Sequence, residues 1–344
     1  MSSRRAWWIL AAMVLSVPAL WVGAHHLRPL PAPRFSASEL PPALPAGQNG
    51  WRELPAIHEL PEDVALDFVV PAEWESLGPE DGVDAELDDR EPKVRRLLQS
   101  PDFRDAVAAS RRALDAPNFR DAQPPGPMTN LLQLHWLHAF WDLALVDARD
   151  DPDEILRLAS ARLRADRDLL ENGRSLTALW ATLHDLKTTL ALLAPLSRRM
   201  TPTQASALSR VVSELDLSAI PLRSRVIQDY LEMRETILNF PMGLSSRLLF
   251  DRAATMAHVD DYFEDLMRQV ESSSAITVTM KSDTSFIPYN VSGRELLEMF
   301  PDEGRLFVQE EPLRAEAQAA QAYLLRWLRA PGRDGGQAAP PPGL

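Results

Sequence analysis

Apolar side chains recur every three or four residues through most of the chain beyond residue 128, which is the spacing of one face of an α-helix. Leu176, Leu179, Trp180, Leu183, Leu186, Leu190 and Leu193 form one such stripe, and Met256, Val259, Phe263, Leu266 and Val270 form another. Stripes of this kind face a core rather than a cofactor. The pattern predicts helices over 130–149, 152–171, 175–194, 202–215, 219–239, 249–271, 293–299 and 312–329. Upstream, Ser100 followed by Pro101 opens a further helix in PDFRDAVAASRRAL, because proline fits the first helical position. The near-copy PNFRDA at 117–122 runs into QPPGP, where proline forbids a helix. The two are separate local uses of a phenylalanine anchor, not a repeat.

Start and stop signals support this reading. Asp151-Pro152-Asp153-Glu154, Thr201-Pro202-Thr203-Gln204 and Ser292-Gly293-Arg294-Glu295 each place a capping side chain three residues before Glu or Gln, a pairing that satisfies the orphan amides at a helix start. Asn172-Gly173 supplies a stop. The first starts recur roughly every 22 residues with short turns between them, which favours antiparallel neighbours. The expected fold is all-α: an irregular array of antiparallel helical hairpins, tetratricopeptide-like in general form but without that consensus. One segment breaks the pattern, a β-branched run at Ile276–Thr279 followed by Phe286-Ile287, and predicts a short β-like loop insertion near 275–288.

The N-terminus follows a different rule. Arg4 and Arg5 precede an uncharged apolar run from Ala6 to Ala24, which as a helix spans roughly 28 Å, close to the hydrocarbon thickness of a bilayer. Arginines before the run favour a cytoplasmic N-terminus and a body on the far side, although Arg28 and Arg34 weaken the bias. Two readings stand. The run is a retained single-pass anchor in a bacterial inner membrane, with the body in the periplasm, or it is a signal peptide cleaved after Ala24, in which case the body is secreted to the periplasm. No cysteine follows it, so a cysteine-linked lipid anchor is excluded.

The remaining segments divide by composition. Residues 25–50 are proline-rich and read as an extended tether. Residues 51–127 are a mixed region with a helical candidate near Trp51–Ile57 and an acidic loop, EDGVDAELDDRE, that lacks the calcium-loop pattern. Residues 128–330 are the helical array, and 331–344 a disordered tail. The absence of cysteine removes disulfides, thiolate metal sites and cysteine nucleophiles. A net charge of −13, with Lys93, Lys187 and Lys281 the only lysines and no basic stripe, argues against nucleic-acid binding. The apolar N-terminal segment, the helical body and the Asn-x-x-Gly-Arg element at Asn290–Arg294, ahead of a last helix, resemble bacterial membrane-anchored all-helical proteins. The likeness spans roughly Asn130 to Ala330 and implies no activity.

Candidate chemistry centres on LHWLHAFWDLAL, residues 134–145. On a helix, His135, His138 and Asp142 share one narrow sector. His258, Asp261 and Asp265 repeat the three-then-four spacing, so the two stripes together offer imidazole and carboxylate ligands for a divalent transition metal across a helix pair. Against this, the chain has no HExxH and no histidine three residues after a glutamate, and helix histidines commonly serve as hydrogen-bonded structural groups. His184 and Asp185, beside an apolar stripe, carry a weaker signal still. No GxSxG, SxxK, GxxxxGK[ST] or GxGxxG is present. The leading expectation is a non-enzymatic, membrane-tethered scaffold that binds a protein partner and needs no cofactor. The alternative is a metal-binding protein or metal-dependent hydrolase.

Overall fold

The computed structural model describes residues 16, 23, 27–41, 44, 48–50, 98–119, 127–173, 175–218, 220–241, 243, 250–272, 290–298 and 303–329. For 102, 127–133, 135, 136, 177 and 303–309 it describes the backbone alone. Among the described residues there are nine α-helices and no strand, so the all-α expectation holds. Most of the apolar run, the helical candidate at 51–57, the acidic loop, the β-like insertion and the C-terminal tail lie outside the described residues. Among the described residues no helix is long and apolar enough to cross a membrane.

The helices are α1 Pro101–Leu114, α2 Pro127–Asp147, α3 Pro152–Asn172, α4 Leu176–Leu196, α5 Pro202–Ser213, α6 Arg223–Asn239, α7 Arg252–Glu271, α8 Val291–Glu298 and α9 Glu303–Arg329. Their starts follow local chemistry. Asp151 accepts from the Asp153 and Glu154 amides, while the Glu154 carboxylate turns to Arg157 instead of closing a capping box. Thr201 and Gln204 do form the reciprocal box. Pro221 delays α6 to Arg223 by keeping the residue before it extended. α8 starts at Val291, placing Ser292 inside the first turn rather than at the cap. α9 begins well before the expected start and continues through Pro312, a residue that favours a first turn but here interrupts one i→i−4 bond.

The described residues form two compact units that are discontinuous in sequence, one from Met1–Leu40 and Val226–Arg305, the other from Pro41–Arg225 and Leu306–Leu344. In the larger unit α2 packs on α1, α3 and α4, and α3 also packs on α5. Every side chain from Leu137 to Val146 is buried, as expected of a helix that is apolar nearly all round. Trp141 anchors the centre, donating from its indole to the Ser110 carbonyl at 2.9 Å and packing edge-on to Phe119. The Gln321 amide caps the end of α5 through the Val212 and Leu215 carbonyls.

The stop at Gly173 works differently from the usual left-handed glycine cap. Its φ is −61° and its ψ 149°, which any residue adopts. What the position needs is room, since a Cβ would stand 2.3 Å from the Leu169 carbonyl and 3.0 Å from Arg225 Nη1. That space admits the fully buried Arg225, whose guanidinium donates to the carbonyls of Leu169, Leu170 and Ser175 at 2.6, 2.8 and 2.9 Å. A cation thus closes the negative end of α3. Gly293, in the smaller unit, has the same use. A Cβ there would meet Asn290 Oδ1 and Thr255 Oγ1, each 2.3 Å away, and the Asn290 amide needs that place to accept from the Asp251 N–H and donate to Thr255. The Asn-x-x-Gly-Arg element is therefore the joint between α8 and the start of α7. Gly173→Ala is expected to lower the unfolding free energy by about 1–3 kcal/mol through overpacking against Leu169 and Arg225; an unshifted urea midpoint would show that the position needs no such room.

Candidate functional site

Polar groups converge in two places. The first lies in the larger unit, where α2, α3 and α4 meet. Arg162, 0 % exposed, sits among them. Its Nε donates to Asp166 Oδ2 at 2.8 Å, one turn on, its Nη1 to the main-chain carbonyl of His138 at 3.2 Å, and its Nη2 to Thr189 Oγ1 at 3.1 Å. The guanidinium also lies over the Trp141 ring, 4.5 Å from its centroid, a cation–π contact. His138, 1 % exposed, places Nδ1 2.7 Å from Asp185 Oδ2. The other oxygen of Asp185 meets the half-buried His184, 3.0 Å away, whose ring stacks on Trp180. Thr189 faces Asp142 Oδ1 at 2.9 Å and the Asp185 carbonyl at 3.2 Å.

The hydrogen bonds fix protonation states. Burial first, and then the Arg162 guanidinium, hold the His138 imidazole below its ordinary range. The neutral ring donates from Nδ1 to Asp185, which turns the Nε2 lone pair toward Asp166 Oδ1. Two acceptors repel, so these atoms stand 3.5 Å apart and neither has a hydrogen-bond partner. Burial pushes the Asp142 carboxyl up to about 7. Thr189 has one proton for two acceptors. Above about pH 7 the Asp142 carboxylate competes with the Asp185 carbonyl for that proton; below about pH 7 the protonated carboxyl donates to Thr189 Oγ1 and leaves the threonine's proton for the carbonyl.

The residues singled out from sequence belong to both units. His138 and Asp142 are both buried in this cluster, on a face turned into the protein. The side chain of His135 lies outside what is described. In the smaller unit His258 is half-buried with Nε2 unpartnered, and burial lowers its basicity. Asp261 is exposed, and exposed Asp265 pairs with Arg268 at 2.7 Å. Among the described residues no group of three or more His, Asp or Glu side chains is arranged to hold a metal ion.

Sequence reasoning missed Arg162, Asp166 and Thr189, and undervalued Asp185. A signal existed. Ile155, Leu158, Arg162, Asp166 and Leu169 continue one helical stripe, and opposite charges four apart within an otherwise apolar stripe mark a buried pair.

The second convergence lies in the smaller unit. Residues 28–36 form an extended strap over α6 and α7. The Arg34 amide donates to the Tyr230 hydroxyl at 2.7 Å, and the hydroxyl donates to Asp260 Oδ1 at 2.8 Å. Arg234, paired with the same carboxylate, donates from Nη2 to the Pro31 carbonyl at 2.7 Å. Phe35 packs edge-on to Tyr230 at 5.1 Å, and ion pairs join Arg28 to Asp251 and Arg34 to Glu264. Burial, with Asp260 alongside, raises the Tyr230 hydroxyl above its ordinary range, so it remains a donor. Pro29, Pro31 and Pro33 hold the strap extended before it docks, which lowers the entropy lost on docking.

Removing Arg162 leaves Asp166 buried without its cation, so Arg162→Ala is expected to cost about 3–5 kcal/mol in urea unfolding, with Arg162→Met/Asp166→Leu recovering most of it. A destabilisation under about 1 kcal/mol for the single variant would contradict the tie. Asp142 gives a pH signature. Because its folded value lies above its unfolded one, its contribution is complete below about pH 4 and is lost as pH rises through about 7. Asp142→Asn should therefore gain stability relative to the parent chain over that window, by up to about 4 kcal/mol; parallel stability–pH curves would contradict the assignment. Compared with family models, curated proteins and solved structures, the chain matches none of them.

Proposed function

We propose that the protein is a membrane-tethered helical scaffold that works by binding a protein partner rather than by catalysis. In this reading the run Ala6–Ala24 holds it in a bacterial inner membrane with the body in the periplasm. The helices α2–α5 and α9 form a tetratricopeptide-like array of antiparallel hairpins whose lateral surface receives the partner. The observation that carries the reading is the docked strap. A segment that served only as a slack leash needs no specific hold, yet here Pro31 and Arg34, within ten residues of the apolar run, are gripped by Arg234 and Tyr230, which Asp260 in turn holds in place. Support also comes from the α2–α4 cluster, whose His, Asp and Arg side chains are buried and engaged in joining three helices, leaving little for a substrate to reach.

The test is made on the full chain in a bacterial host. The protein is expected in the membrane fraction after alkaline carbonate extraction, with the apolar run intact by mass and the body open to protease from the periplasmic side. A soluble chain beginning at His25 would overturn the tether. Arg234→Ala should release the strap and speed tryptic cleavage after Arg34 by about tenfold or more, the worth of one charge-assisted hydrogen bond; unchanged cleavage would remove the observation on which the reading stands. Crosslinking in intact cells from exposed Arg164 should give one discrete adduct, and its absence from every position on α3 and α5 would count against a scaffold.

A further inference from the structure

The strap is held on α6 and α7 by contacts that recur every three residues. Arg28 pairs with Asp251, the Pro31 carbonyl accepts from Arg234, and the Arg34 amide donates to the Tyr230 hydroxyl. Three residues per turn is the period of a polyproline helix, and Pro29, Pro31 and Pro33 favour that course. The contacts at 31 and 34 are made by the strap's main chain, not by its side chains. Of residues 28–36 only Pro31 and Phe35 are half-buried, and the others are exposed. The receiving groups are the buried ones: Tyr230 is 0 % exposed, Asp260 2 % and Arg234 6 %. Phe263 backs the tyrosine ring, with centroids 5.5 Å apart.

We propose that this seat is a receptor for a proline-rich, arginine-bearing segment of a partner protein, and that residues 28–36 fill it in cis until such a segment displaces them. This rests on the scaffold reading above, adds a second binding surface to it, and makes no use of the membrane tether. Three features set the ligand class. Arg234 and Tyr230 read a carbonyl and an N–H three residues on, main-chain groups that any extended segment offers where the later residue is not proline. Asp251 and Glu264 face Arg28 and Arg34, so the seat is acidic where its ligand is basic. Phe35 packs edge-on to Tyr230 at 5.1 Å, which selects an aromatic ring directly after the second arginine. The strap also leaves the seat incompletely satisfied. Asp260 Oδ2 is buried and has no hydrogen-bond partner among the described residues, so a segment that brings one more donor holds the seat better than the strap does.

The test uses the full chain in dodecyl maltoside, carrying Arg34→Pro/Phe35→Ala to remove the strap's donor and ring while every receiving residue stays in place. Arg34→Pro alone is the second release variant. The probe is a fluorescein-labelled peptide with the sequence of residues 27–40. Because a tethered segment competes at roughly millimolar effective concentration, the peptide is expected to bind both released variants about tenfold or more tighter than it binds the parent chain. The same peptide carrying Leu30→Ser, Ala32→Gln and Ser36→Thr should bind within about threefold, while one carrying Arg34→Pro should lose about tenfold or more. Adding Arg234→Ala to a released variant should abolish the signal. No saturation up to about 1 mM peptide, in a released variant that keeps the parent's circular dichroism, would overturn the receptor. Equal affinity for released and parent chains would also overturn it, by placing the peptide elsewhere. Loss of binding on changing positions 30, 32 and 36 would show a seat keyed to its own strap and overturn the partner. A parent chain that dimerises with concentration, and whose dimer the peptide dissolves, would make a second copy the occupant instead. Crosslinking from Arg164 tests the lateral surface and membrane fractionation the tether, so each reading fails separately.

Discussion

The larger unit is organised around one buried cation. α2 is apolar on nearly every side, so packing alone gives it little preference for one rotation about its axis over another. The Arg162 guanidinium supplies that preference, because its donors point in fixed directions and each must find an acceptor out of reach of water. Asp166 on its own helix, the His138 carbonyl on α2 and Thr189 on α4 satisfy those directions together. Rotating or sliding any one helix would strand a charge in the core. His138, Asp142 and Asp185 then fall into place as the groups that complete the arrangement. The contribution is one of specificity more than of net stability, since the attraction within a buried ion pair is largely offset by its desolvation.

The same solution recurs. Arg225 closes the end of α3 on three carbonyls, and Arg234 joins α6, α7 and the N-terminal strap. In each case one planar guanidinium links elements distant in sequence, which a lysine, with a compact charge and no fork, would do poorly. The chain has no cysteine for crosslinks and almost no lysine, and these buried arginines occupy the junctions where covalent ties would otherwise serve. Glycine takes a complementary part at Gly173 and Gly293, where the absence of a Cβ lets a polar side chain reach its partners.

Much of the helical layout was legible in the residues. The apolar period located α2 to α9, and proline with a capping side chain set the starts of α3 and α5. Errors arose where a residue has two uses. Pro312 reads as a helix start yet lies inside α9, and Ser292 reads as a cap although α8 begins before it. His138 and Asp142 were found as a polar sector, but a sector does not say what faces it; that depends on Arg162 and Asp185, supplied by other helices. The strap was the least legible feature. Proline spacing predicts an extended course for residues 25–50, within which Ala37–Glu39 instead form a short 3-10 turn capped by Ser36, and the strap's receptors Tyr230 and Arg234 are ordinary helix residues about two hundred positions away. Nothing local distinguishes a docked extended segment from a free one.

That separation sets a clock. Arg34 and the Tyr230 that holds it are 196 residues apart, and Pro31 and Arg234 are 203 apart. At 5–20 residues per second, a ribosome needs roughly 10–40 s to go from one to the other. Throughout that interval the N-terminal segment has been made and its dock has not. Any machinery that reads or moves the first thirty residues meets them before the fold can claim them, and the grip closes only when that window has passed.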